Sequence, residues 1–208
     1  MILKINGIDL LFYTDIQKNK LILEENSEIL AVNAKEKARQ AAEQTGYICL
    51  GDDSGVYITA LDYFPGAHSR RWTASEFDDT ERNRQIIELM KNEEDRSAYL
   101  TSRFSLVDPD GNELFKTVVK NKFYIAENIY GDSGFGYDPI LIPDNDSLFT
   151  PAYNEGRLGI GKETFDNIFY KFYEERDITI GCLNQEAKNA INNRGRIAKE
   201  LKDVMYDE

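Results

Sequence analysis

Two long β-forming runs, Ala98–Val107 and Glu113–Ile125, are separated by Asp108-Pro109-Asp110-Gly111. Proline presets one turn dihedral and glycine supplies the left-handed one, so the tetrapeptide reads as a hairpin turn. Two long antiparallel strands disfavour a purely parallel, doubly wound sheet. The rest of the chain supplies helices. Apolar spacing predicts them at 27–45, 79–92, 162–176 and about 192–205. In the first, Ser27 can cap, Glu28 suits the positive end and Gly46 stops the helix. Its stripe of Ala31, Ala34, Ala38, Ala41 and Ala42 suits close packing on a sheet. The second turns Ile86, Ile87, Leu89 and Met90 inward; the third Phe165, Ile168, Phe169 and Phe172; the last Ile197, Ala198, Leu201 and Val204. Shorter strands are predicted at 7–16, Tyr47–Leu50 and Val56–Leu61. The class is mixed α/β, and the length fits one large domain.

Charge narrows the function. The 208 residues hold 25 Lys plus Arg against 37 Asp plus Glu, a net charge of −12. Phosphate neutralisation needs Lys and Arg, so bulk nucleic-acid binding is disfavoured. An anionic ligand would require a metal ion or a local cationic cluster. No apolar run approaches the ~20 residues of a membrane span. The opening MILKINGIDL carries Lys4, Asn6 and Asp9 and has no signal-peptide core. Cys49 and Cys182 lack metal-ligand spacing and read as reduced thiols of a cytoplasmic protein.

Four segments could carry chemistry. In Gly51-Asp52-Asp53-Ser54-Gly55, adjacent carboxylates in an extended chain point to opposite sides. One could hold a hard cation while the other faces a water; the bland alternative is a turn between two strands whose aspartates accept backbone hydrogen bonds. Phe64-Pro65-Gly66-Ala67-His68-Ser69-Arg70-Arg71 could bring cations to an anion, or be a solvated surface turn. His68 is the only histidine, which excludes a histidine triad or a multi-histidine metal site. Gly131 to Pro139 offers Phe135 as a stacking face and Asp138 as an acceptor, or is a glycine-rich β-turn. Lys188 to Arg196 places Lys188 and Arg194 around a helix start that Asn192 can cap, an anion site or a plain capped helix.

Taken together and in order, these segments resemble the inosine triphosphate pyrophosphatase family of non-standard purine NTP pyrophosphatases. The matching motifs are Asn33-Ala34-Lys35-Glu36-Lys37-Ala38, Asp52-Asp53-Ser54-Gly55, Pro65-Gly66-Ala67-His68-Ser69-Arg70-Arg71, Gly134 to Pro139, and Lys188 to Gly195. The resemblance spans nearly the whole chain from about Gly7. It implies an elongated mixed sheet in two lobes around a nucleotide cleft. It also implies Mg²⁺-dependent hydrolysis of a purine nucleoside triphosphate (ITP, dITP or XTP) to monophosphate and pyrophosphate, by a homodimer. Carried over, Asp52 is the metal ligand and Asp53 the residue that orients or deprotonates water. Phe135 stacks on the base, and Tyr137, Asp138, Lys188 and Arg194 line its base and sugar side. Ser54, Gly55, Ser69, Arg71 and Asn193 complete the nucleotide contacts.

The chain departs from the family pattern in three places. The family's Thr-Gly-Asn-x-x-Lys phosphate loop has only Thr14 to Lys20 as a poor counterpart, and Gly7–Ile16 aligns better with the family's second strand. Val32 stands where the family places an acidic metal ligand, with Glu28 and Glu36 one turn to either side. Asn192-Asn193-Arg194 replaces Ser-His-Arg. An extra segment at about 147–182 contains the aromatic helix, with Gly156, Gly159 and Gly161 ahead of it as a hinge. These departures support an alternative, a catalytically impaired relative that binds a nucleotide or a protein partner. An N-terminally truncated enzyme is a third reading.

Overall fold

The structure, a computed structural model, describes residues 3–5, 8–11, 23, 27–73, 78–154, 162–170, 178–194, 197 and 201. The expected Thr14 to Lys20 segment, the glycines at 156, 159 and 161, and Phe172, Ala198 and Val204 lie outside them. So do the side chains of Phe165, Ile168 and Phe169.

The elements run β1 (Leu3–Ile5), β2 (Ile8–Leu10), α1 (Leu30–Thr45), β3 (Cys49–Ile58), β4 (Pro65–Gly66), α2 (Asp79–Leu89), β5 (Ser97–Val107), β6 (Glu113–Ile125), β7 (Leu141–Pro143), α3 (Thr150–Asn154), α4 (Lys162–Tyr170) and α5 (Gln185–Ile191). Strands β1 and β2 form a small antiparallel hairpin; β2 falls within the strand expected at 7–16, of which residues 7 and 12–16 lie outside the described residues. The main sheet is five-stranded and open, in the order β4-β3-β5-β6-β7. At its edges β3 pairs antiparallel with β4, and β6 with β7.

The hairpin prediction holds at the level of single bonds. Gly111, with φ 87°, donates its N–H to Asp108 O, and Asn112 N–H reaches Asp108 Oδ1. Helix α1 starts later than expected. Its N-cap is Ile29, and Ser27 accepts the Ile29 N–H instead of capping. Gly46 closes it in the left-handed conformation. Ala34, Ala38 and Ala42 are buried as predicted, but Ala31 is exposed, one position off the packed stripe. Ile86 in α2 and Met90 at its C-cap are buried, while Leu89 faces solvent. Asp78 caps that helix by accepting the Glu81 N–H.

The largest correction concerns residues 51–55. They are the middle of β3, with Gly51, Asp53 and Gly55 on one face. The glycines are there because backbone comes too close for a side chain. A Cβ on Gly51 would overlap the Ala34 carbonyl oxygen of α1, and one on Gly55 would overlap the Gly66 carbonyl oxygen of β4. Tyr47 and Ile48 precede the strand, and Thr59–Leu61 follow it as a single 3-10 turn.

The chain divides into two compact units. The first comprises Met1–Ser54, Ser102–Val119 and Arg196–Glu208; the second Gly55–Thr101 and Lys120–Gly195. The boundary therefore falls within β3, β5 and β6. In the first unit Ile197 and Leu201 pack on Phe104, Leu106 and Val119. The second is built around Val56, Ile58, Ile86, Met90, Phe123 and Ile140, with a smaller cluster of Ile142, Ala152, Leu183, Ala187 and Ile191. No described helix is long and apolar enough to cross a membrane.

Candidate active site

In the first unit the chemistry gathers where α1 meets β3. Alternation along the strand turns Asp53 inward and Asp52 outward. Asp53 is 8% exposed, and both of its oxygens are occupied. Asn33 Nδ2 donates to Oδ2 at 2.9 Å and Lys37 Nζ to Oδ1 at 2.7 Å. Asn33 and Lys37 are four apart on α1 and so share a face. Asn33 is itself held by the Ser27 backbone, accepting its N–H and donating to its C=O. Lys37 also reaches Asp52 O at 3.2 Å. Each carboxylate oxygen accepts two hydrogen bonds, so a fixed Asp53 keeps acceptor capacity for a water.

Asp52 sits on the opposite side of the strand. Ser54 Oγ donates to Asp52 Oδ1 at 2.9 Å and lies 2.7 Å from the hydroxyl of buried Ser102 on β5. An ammonium against Asp53 makes that carboxylate a poor cation ligand. Asp52, bonded to a hydroxyl, fits a hard cation better. Glu36 is engaged by Arg39, and Val32 is 45% exposed. Among the described residues no group of three or more His, Cys, Asp or Glu could hold a metal. Asp52 is a single hard oxygen donor, of the kind a divalent cation takes.

In the second unit a different set converges on Gly134-Phe135-Gly136-Tyr137-Asp138. Gly134, with φ 97°, leaves room that a Cβ would take from Asp138 Oδ2 and Lys188 Nζ. Lys188 on α5 is 4% exposed, its Nζ 3.5 Å from Asp138 Oδ2. Burial pushes the Asp138 carboxyl above the ordinary range, and the Lys188 ammonium only partly offsets it. Phe135 is 66% exposed, and the Arg194 guanidinium stands 5.4 Å from its ring centre. An exposed ring with a cation above it can accept a flat heterocycle.

Other predicted residues are placed differently. Tyr137 is buried; its hydroxyl donates to Ser69 O at 2.5 Å and accepts from Trp72 Nε1 at 2.8 Å. Burial pushes that phenol up to about 12. Ser69 Oγ donates to Gly66 O and accepts the Val56 N–H, tying the Pro65-Gly66 turn to β3. Asn193 is buried and donates to Leu100 O at 3.2 Å. Arg71 and His68 are exposed. Asn192 has the extended backbone of a cap residue, between α5 and the helical residues Asn193 and Arg194.

A model of the Ham1 family matches residues 2–155. The chain belongs to the Ham1 family. A curated member from Acholeplasma laidlawii, named dITP/XTP pyrophosphatase, is 37% identical over 143 residues, 69% of each chain. One of the same name from Nocardia farcinica is 32% identical over 173 residues, 81% of this chain and 68% of the relative. Among solved structures, a HAM1 protein from Coxiella burnetii superposes with a TM-score of 0.69 at 27% identity, covering 94% of this chain and 85% of that one. A nucleoside-triphosphatase (dITP/XTP pyrophosphatase) from Mycobacterium abscessus gives 0.62 at 29% identity, covering 94% and 87%. The resemblance read from the motifs and the mixed α/β fold class are both borne out.

Four residues of this Ham1 chain have site contacts that the sequence did not reveal. Asn33 and Lys37 lie in a quoted motif, but their spacing alone does not show that they reach Asp53. Asp79 and Asn83 carry no motif at all. Asp79 Oδ2 accepts the Gly136 N–H at 2.7 Å, and Asn83 Nδ2 donates to Gly136 O at 2.9 Å. Burial would raise the Asp79 carboxyl, but the Gly136 N–H and the neighbouring Arg82 outweigh it and hold it below the usual carboxylate range. A depressed carboxyl contributes stability that is complete above the unfolded value of about 3.9 and is lost as pH falls through the folded value. Asp79→Asn is therefore expected to flatten the loss of melting temperature below about pH 4. Thermal unfolding between pH 7 and the acid limit checks this; an unchanged slope contradicts it.

Proposed function

We propose that the protein hydrolyses non-canonical purine nucleoside triphosphates of the dITP, XTP and ITP class to monophosphate and pyrophosphate. The observation that carries the reading is the Asp53 carboxylate, fixed by Asn33 on one oxygen and Lys37 on the other. Asp53 orients a water and takes its proton as the new P–O bond forms. The bond between the α- and β-phosphates then breaks, and pyrophosphate leaves. Asn33 and Lys37 keep the carboxylate from rotating, which serves positioning, the main demand of phosphoryl chemistry. Phe135 stacks on the base, with Arg194 on its ring and Asp138 and Lys188 as polar partners. Asp52 would hold Mg²⁺ with the phosphate oxygens, and the ion would neutralise polyphosphate charge on this acidic chain. The finer expectations go with this reading: magnesium as the metal, a homodimer, and residues 147–182 as an addition to one catalytic domain.

The test is pyrophosphate release from dITP, XTP, ITP and the four standard nucleoside triphosphates with Mg²⁺. Faster release from the non-standard purines is expected. Release no greater than that of Asp53→Asn would defeat the proposal. Exposed Val32, at the family's acidic position, favours a second reading, a relative that binds nucleotide without turnover. Calorimetric binding of dITP with no pyrophosphate released would select it.

A further inference from the structure

We propose that Asp79 and Asn83 are positioning residues that clamp the Gly136 peptide from both ends and thereby set where the Phe135 ring stands. The inference rests on the reading of Phe135 as the base platform and extends it to residues on another element. Asp79 and Asn83 are four apart on α2 and present one face. One accepts the Gly136 N–H at 2.7 Å and the other donates to the Gly136 C=O at 2.9 Å. Both polar groups of a residue next to Phe135 are thus held by a rigid helix. Gly136 has φ 63°, and nothing lies within 4 Å of where its Cβ would be. The glycine therefore serves the backbone conformation, not close packing.

The clamp is built for direction and not merely for packing. Asn83 is 1% exposed, and its Oδ1 finds no hydrogen-bond partner among the described residues. A purely packing residue at that position would have no buried acceptor to leave unmet. The amide's identified contribution is the one donor it gives to Gly136. Asp79 is in turn braced by Arg82, three residues on along α2. On the far side of the loop, the Tyr137 hydroxyl bridges Ser69 O and Trp72 Nε1. Phe135 itself is free to present its ring because its neighbours, not its own side chain, anchor the segment.

Two readouts separate positioning from simple stability. Trp72 is the only tryptophan, and its indole N–H is bonded to Tyr137. Its fluorescence reports loop docking without any substrate. Asp79→Ala is expected to change Trp72 emission, whereas Asp79→Asn, which keeps an acceptor for the Gly136 N–H, should restore it. With dITP, Asp79→Ala should raise KM about tenfold and leave kcat within about twofold, the pattern of a lost binding contact. Phe135→Ala should raise KM by at least as much. In the double variant Asp79→Ala/Phe135→Ala, the KM effect of Asp79→Ala should vanish, because the platform it positions is gone.

Asn83→Asp, which faces the Gly136 carbonyl with a carboxylate, should behave as Asp79→Ala does. Unchanged Trp72 emission in Asp79→Ala, or multiplicative KM effects in the double variant, overturns the clamp. Failure of the wild-type protein to release pyrophosphate from any of these nucleotides overturns the proposed function instead. The emission measurement still decides the clamp in that case.

Discussion

Asp53→Asn is expected to lower kcat by about 10²- to 10⁴-fold, the usual contribution of a positioned general base. The substitution keeps size and shape. It removes the proton acceptor and changes how the group is held. In the native protein Asn33 Nδ2 and Lys37 Nζ both donate to residue 53. An asparagine has one oxygen to offer them, so its own amide nitrogen must face the other donor. That unmatched pair costs about 1–3 kcal/mol, or about 2–12 °C of melting temperature for a chain of this size. A loss of turnover with the fold retained at assay temperature is the expected result, measured by pyrophosphate release and thermal unfolding. Full activity in Asp53→Asn would remove Asp53 from the reaction.

Lys37→Met separates the two roles of this cluster. It leaves the Asp53 acceptor in place but takes away the ion pair on Oδ1. A carboxylate held by Asn33 on one oxygen alone is less well fixed, and misplacements on the order of 1 Å cost about 10²-fold. Lys37→Met should therefore be impaired, but less than Asp53→Asn. Equal losses would mean that Lys37 contacts the reacting phosphates itself.

What was legible in the sequence depended on how local the determining forces are. The β5–β6 pair was legible because Asp108-Pro109-Asp110-Gly111 dictates its own geometry. The bonds from Gly111 and Asn112 back to Asp108 span four residues or fewer. Helix α1 was legible from its alanine spacing and Gly46. Residues 51–55 were not. Glycine, aspartate and serine are depleted in strands and typical of turns, so local chemistry argued for a break in β3. The strand runs through because its glycines admit α1 and β4, and that need is visible only once those elements are in place.

The site followed the same division. Alternation along an extended chain correctly separated Asp52 from Asp53, and the exposed Phe135 and its arginine were singled out by type. The partners of Asp53 lie 16 and 20 residues away, and those of Gly136 53 and 57 residues away. No local pattern encodes contacts of that range. Buried Tyr137 and Ser69 show the converse: a motif can include residues whose bonds are spent on holding the loops together.

The same close approach makes Gly51→Ala the most damaging alanine substitution expected among the described glycines. A methyl group there would overlap Ala34 O and come within 2.8 Å of Ala38 N, and both are backbone atoms. No rotamer change can relieve backbone overlap, so α1 must move off β3. Overpacking of this kind costs about 3 kcal/mol or more, equivalent to about 6–12 °C in melting temperature. Gly46→Ala is the control. Its φ is +72°, but no atom lies within 4 Å of the added carbon, so it bears only the left-handed penalty of about 1–2 kcal/mol. The two variants should differ in catalysis as well. Moving α1 carries Asn33 and Lys37 away from Asp53, so Gly51→Ala should lose activity even at a temperature where it stays folded. Gly46→Ala, at the far end of the helix, should keep it. Comparable melting and comparable turnover in the two variants would mean that α1 does not press on β3 at Gly51, and the support assigned to Asp53 would go with it.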